Sequence, residues 1–284
     1  MHNNRQKSLI IQPGKLGDIL ITAPIAKHYH EQGYDIEWPV FHNFYTTIQR
    51  FEYVKAVSFE IEINNNKYYS LKRANFLDKD LNEQSSKMFE NIYSYISTSP
   101  FDLIIDPCFS FPGHRNEYNN KKPVEYHSKN LNWINLKYDL AKVPLQKRWN
   151  LEYNRNHEKE RKLFNFVKDF CYKKYGSYEY SIVHSYSKIE NYFDKLKVKN
   201  PINFSYIKGF EIFDWLMVLE HSSKIVCCDS SLCNFVEVSN SLRDKEKYYL
   251  GSEEPHYHSY MRNILLNNWN NLTTEDISYG KFKI

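Results

Sequence analysis

The stretch Ile10-Ile11-Gln12-Pro13-Gly14-Lys15-Leu16-Gly17-Asp18-Ile19-Leu20-Ile21-Thr22-Ala23-Pro24 constrains the fold of this chain more than any other. An apolar run ends at a proline and a glycine. A second glycine and an aspartate follow, and then an apolar stretch with helical spacing begins. The pattern predicts a strand, a tight turn and a helix N-terminus. In an open α/β sheet this edge is where ligands bind, so an aspartate placed there can act on a ligand as well as on the fold.

The rest of the chain repeats the alternation of strand and helix. In the first half, strands are predicted over 8–12, 35–41, 54–61 and 101–107, and helices over 18–32, 83–97 and 130–141. Ile19, Ala23, Ala26 and Tyr29 space the inner face of the first helix, and Gly33 is its stop signal. Residues 108–122 read as a long loop after a strand. In the second half, helices are predicted over 158–174, 210–221 and 232–239. Strands are predicted over 181–185, 202–206, 224–228 and 247–250, the last clear one. The polar stretch 144–156 has little periodicity and places a boundary near residue 150, giving domains 1–150 and 151–284. Alternation in both halves predicts an α/β protein with parallel sheets covered by helices.

A chain of 284 residues that is 42% hydrophobic can build two sizeable cores. Its formal net charge of +4 suits a phosphate-bearing donor or a polyanionic acceptor without demanding nucleic acid. The five cysteines show no metal-type pairing and read as reduced thiols. No apolar stretch approaches the roughly 20 residues needed to span a bilayer, and no signal-peptide pattern opens the chain. A cytoplasmic location is expected, with peripheral contact to the inner membrane left open.

Four groups of residues can carry chemistry. Gly14 and Gly17 permit a tight turn and close backbone approach to a ligand, and Asp18 follows at a helix start, where the dipole favours a negative charge. Read plainly, Asp18 is a helix cap worth about 1 kcal/mol. Asp229-Ser230-Ser231 again lies between an apolar strand and a helix, where N–H groups and hydroxyls make an anion site or serve as N-caps. Lys188, after the 181–185 strand, can reach a phosphate as a point charge or sit solvated. His114 and Arg115, in the long loop, suit an acceptor's anionic groups or an ordinary exposed loop.

The order of these motifs resembles the lipopolysaccharide heptosyltransferase family (glycosyltransferase family nine). Lys15-Leu16-Gly17-Asp18-Ile19-Leu20-Ile21-Thr22-Ala23-Pro24-Ile25 is similar to the family's opening motif. Phe101 to Asp106 looks like its strand late in the first domain, Ile225 to Ser231 its Asp-Ser/Thr-Gly phosphate motif, and Tyr249 to Ser252 the strand-glycine that follows. The resemblance implies a GT-B fold, with two Rossmann-like domains whose parallel sheets face each other across a cleft. It implies a glycosyltransferase that inverts, uses no metal or other cofactor, and moves a sugar from a nucleotide-sugar donor to a glycan or lipopolysaccharide-like hydroxyl. It assigns the base to Asp18 and the donor phosphates to Lys188, Asp229, Ser230, Ser231 and Asn234. Lys15 joins Gly14 and Gly17 at the turn, with His114 and Arg115 on the acceptor side.

The chain departs from that pattern. Ser231 replaces the usual glycine, and Asn234 stands where the family has a histidine. The segment between Lys188 and Ile202 is too short for the usual helix and strand, so the donor domain is abridged by about one βα unit. Two alternatives stay open: transfer to hydroxymethylated bases of phage DNA, and a non-catalytic sugar-nucleotide-binding protein.

Overall fold

The computed structural model describes residues 5–14, 16–59, 91–92, 94–107, 133–184, 198–228, 230–250 and 268–272. The chain divides into two compact units. One is formed by Met1–Glu125 with Leu136–Lys147, the other by Tyr126–Asn135 with Arg148–Ile284.

In the first unit, β1 (Gln6–Ile10) lies inside a four-stranded parallel sheet with β2 (Tyr34–Phe41), β3 (Val54–Phe59) and β4 (Leu103–Ile105), in the order β3-β2-β1-β4. A central parallel strand is covered on both faces, which is why Leu9, Ile10 and Ile11 run consecutively and are all fully buried. The helix after β1, α1 (Leu16–Glu31), buries every residue from Ile19 to Ala26. Its first half is therefore apolar all round, not on the single Ile19-Ala23-Ala26-Tyr29 face that spacing predicts. Gly33, at a φ of +96°, ends it as expected. Another helix, α2 (Trp133–Leu140), which belongs to this unit from Leu136 onward, is pinned to α1 by Tyr138 Oη donating to the Ile21 carbonyl at 3.0 Å. Tyr29 Oη donates to the Ala141 carbonyl at 2.6 Å.

The chain moves outward from β1 to β2 and β3, then returns to lay β4 on the other side of β1. Their registers align Ile10 with Ile105, and the Ile11 N–H donates to the Ile105 carbonyl at 2.9 Å. The carboxyl ends of β1 and β4 thus mark a topological switch point, where open α/β sheets bind ligands.

The second unit opens with α3 (His157–Tyr175), capped at both ends. Its sheet orders β5 (Ser181–His184), β6 (Pro201–Asn203), β7 (Ile225–Cys228), β8 (Lys247–Leu250) and β9 (Trp269–Leu272) as β6-β5-β7-β8-β9, all parallel. The switch point here lies between β5 and β7. The helix expected over 210–221 is divided into a 3-10 turn (Ile212–Trp215) and α4 (Leu216–His221). The strand β9 is missing from the sequence reading, which ended at 247–250. Cys171, Cys227, Cys228 and Cys233 are free thiols, all buried; Cys108 lies outside the described residues.

A buried Arg148–Glu237 ion pair holds the second unit together. Glu237 projects from α5 (Ser231–Val238) and also accepts from the Trp149 indole at 3.4 Å and the Trp269 indole at 2.8 Å. One carboxylate thereby joins α5 to the segment entering the unit and to its last described strand.

Candidate active site

Beyond the end of β1, Gln12 is buried, and its carbonyl and both ends of its side-chain amide are hydrogen-bonded. Its carbonyl accepts from the Trp38 indole at 2.8 Å. Its side-chain amide donates to the Gly14 carbonyl at 2.8 Å, and its Oε1 accepts from Lys137 Nζ at 2.6 Å. Lys137 comes from α2, and only 1% of its side chain is exposed. Its ammonium lies 3.4 Å from the Pro107 carbonyl, just past β4, and 3.3 Å from Asp18 Oδ1. An ammonium has three N–H donors, and three oxygens surround this one. That is the condition under which a buried charge is tolerated.

The result is a carboxylate in the first turn of α1, beside a fixed cation, at the switch point of the first sheet. The Asp18 side chain is 22% exposed, so solvent or a ligand reaches it while its ion-pair partner stays dry. Such an arrangement fixes the direction in which a carboxylate faces a ligand at the sheet edge.

Gly14 has a packing role in this geometry. A Cβ there would lie 2.7 Å from Phe41 Cδ2 and 2.8 Å from Cε2. The ring needs that space because the Phe41 N–H is bonded to the Pro13 carbonyl at 2.9 Å, which holds its backbone against the turn. The close approach expected of Gly14 is thus made to Phe41. Gly17 sits half-buried in the first turn of α1, next to Asp18.

In the second unit, Ser230 is the N-cap of α5. Its hydroxyl accepts from the Cys233 N–H at 3.3 Å and donates to the Cys228 carbonyl at 3.1 Å. Ser231 and Asn234 follow, half-buried in the first turn at the carboxyl end of β7. His184 ends the adjacent β5, packed edge-on against Phe204 with ring centroids 5.2 Å apart. Burial pushes its imidazole below 6.5, although a hydrogen bond with the Phe204 backbone opposes the shift. Lys15, His114, Arg115, Lys188 and Asp229 lie outside the described residues.

The structure thus gathers Gly14, Gly17 and Asp18 at one sheet edge, and Ser230, Ser231 and Asn234 at another. It adds Gln12 and Lys137, which the sequence reading missed. A signal for Lys137 exists: Ile134, Lys137, Tyr138 and Ala141 follow i, i+3, i+4, i+7 spacing, the three apolar members are buried, and a lysine on that stripe must find acceptors inside.

No protein-family model and no curated protein matches the chain. Among solved structures, it is similar to a glycosyl transferase of family 9 from Veillonella parvula, with a TM-score of 0.53 and 12% identity over 99% of this chain and 90% of that one. It also matches E. coli heptosyltransferase WaaC with ADP (TM-score 0.46, 10% identity, 94% of this chain and 91% of that one). A third match is E. coli ADP-heptose lps heptosyltransferase II (TM-score 0.47, 10% identity, 94% and 90%). The first of these, with the two parallel sheets, shows the fold: the chain has the GT-B architecture of two Rossmann-like units. Among the described residues, no helix is long and apolar enough to cross a membrane.

Proposed function

We propose that this protein is a glycosyltransferase that moves a sugar from a nucleotide-sugar donor to a hydroxyl of a glycan or lipopolysaccharide-like acceptor, with Asp18 as its base. The observation that carries this reading is the Asp18 carboxylate, partly open at the β1/β4 switch point and fixed by the buried ammonium of Lys137. A helix cap needs no buried lysine behind it. A proton acceptor benefits from one, because a fixed orientation is part of its efficiency.

In the proposed step, Asp18 accepts the proton of the acceptor hydroxyl as that oxygen attacks the anomeric carbon. The bond from that carbon to the diphosphate oxygen breaks, its electron pair leaves with the nucleoside diphosphate, and the anomeric centre inverts. The first turn of α5, with Ser231 and Asn234, receives the departing phosphates through helix N–H groups. Lys188 and Asp229 complete that set on the strength of the family resemblance. The charge that the protein supplies makes a metal unnecessary in this scheme.

The test has two arms. Thermal shift across a panel of nucleoside diphosphates and nucleotide sugars should show stabilisation with a preference for one base. Asp18→Asn should keep that stabilisation and lose sugar transfer in the presence of a hydroxyl acceptor. Stabilisation by no nucleotide sinks the donor assignment. Undiminished transfer by the variant sinks the base assignment, and binding without transfer by the wild type leaves a binding protein.

A further inference from the structure

The second unit carries an exposed apolar surface that the proposed chemistry does not use. Phe166 is 56% exposed, Phe170 46% and Tyr206 85%. Phe166 and Phe170 stand one turn apart on α3. With Pro201, Ile202 and Ile207 they line a groove of about 340 Å³ between α3 and β6, the edge strand of the sheet. Contiguous exposed aromatics of this kind mark a surface that meets another phase or partner.

The charges beside them indicate which. Helical spacing places Lys162 one turn before Phe166, where it pairs with Glu158 at 2.6 Å, and puts Lys173 and Lys174 one turn after Phe170. The Lys174 ammonium lies 5.9 Å from the Phe170 ring. Across α3 there are six Lys or Arg against three Asp or Glu. Of the three, Glu160 is buried and neutralised by Arg155, Glu158 is taken up by Lys162, and Asp169 is exposed next to Phe170, so the net positive charge of this face comes from Lys173 and Lys174. Addition of a strand at the β6 edge is disfavoured, because β6 has three residues and begins with a proline. Aromatic rings flanked by lysines with long apolar stems match the boundary between anionic headgroups and acyl chains.

We propose that this face of α3 docks the protein on an anionic membrane surface. The inference is independent of the Asp18 assignment. The test is co-sedimentation of the full chain with phosphatidylcholine vesicles and with vesicles of equimolar phosphatidylcholine and phosphatidylglycerol. The anionic vesicles should bind at least about tenfold more protein, and added salt should reverse much of it. Phe166→Ser with Phe170→Ser, and separately Lys173→Glu with Lys174→Glu, should each reduce binding about tenfold. A cooperative melting transition above the assay temperature confirms that each variant is folded. Equal binding to both vesicle types, binding to neither, or undiminished binding by the folded variants overturns the proposal. Self-association abolished by Phe166→Ser with Phe170→Ser, without vesicle binding, assigns the face to a second copy and overturns it too.

Discussion

At the scale of single residues, Lys137 and Asp18 bind each other's fates. Lys137→Met would leave Gln12 Oε1 and the Pro107 carbonyl without their donor in a buried place. Such a loss is expected to destabilise the fold by about 2 kcal/mol, read as a lower urea midpoint. An unchanged midpoint would show that the amine is not the satisfied cation described above. His184 makes a pH prediction. Burial holds its folded pKa below 6.5, so as pH falls through 6.5 the unfolded chain binds the proton first. Stability is therefore lost below that pH and levels off under the folded value. His28 shifts in the same direction, through burial and then Lys147. His184→Gln should flatten part of the decline in stability between neutral pH and the acid side, and an unaltered curve would count against the burial argument. Asp18 was legible in the sequence because its turn is written in adjacent residues. Lys137 was not, since it meets Asp18 only after 119 positions of chain have folded back.

At the scale of elements, α3 is defined by its ends. Asn156 Oδ1 accepts from the Lys159 N–H at 3.0 Å, and Gly176, at a φ of +70°, closes the helix through a 2.8 Å bond to the Tyr172 carbonyl. Asn156→Ala should cost about 1 kcal/mol, and Gly176→Ala about as much because the left-handed backbone remains. Calorimetry would show both as lower melting temperatures, and neither should alter ligand binding in the first unit. Gly14→Ala is a harsher change of the same size, since its Cβ must displace the Phe41 ring; overpacking of this kind costs about 1–3 kcal/mol. Elements bounded by such signals could be read from the sequence. Strand 247–250 and helices α1 and α3 were found within a residue or two of their ends. The strand β9 escaped because Trp269-Asn270-Asn271-Leu272 lacks alternation. Its conformation comes from pairing with β8, in register from Lys247–Trp269 to Leu250–Leu272. The face of α1 was misjudged for the opposite reason: an apolar run with little periodicity carries no direction.

At the scale of the whole molecule, two parallel sheets each have a switch point, and the proposed donor acts on the second. A nucleotide present at a hundred times its Kd should stabilise the protein by about 2.7 kcal/mol, and Asp18→Asn should leave that increment intact. The second unit also depends on Glu237, whose carboxylate serves Arg148, Trp149 and Trp269 together. Glu237→Ala leaves Arg148 buried beside an empty space and should cost about 3–5 kcal/mol, enough to lower the yield of folded protein.

The four buried thiols give this unit a built-in chemical clock. Cys171, Cys227, Cys228 and Cys233 all belong to it. Burial pushes the Cys227 thiol well above its ordinary value, with Cys228 adding to the shift, so the reactive thiolate is withheld while the unit stays closed. In a Cys108→Ser background, the rate at which a maleimide labels the chain would therefore measure how often the second unit opens. A bound nucleotide would slow that labelling in proportion to the closed state it favours.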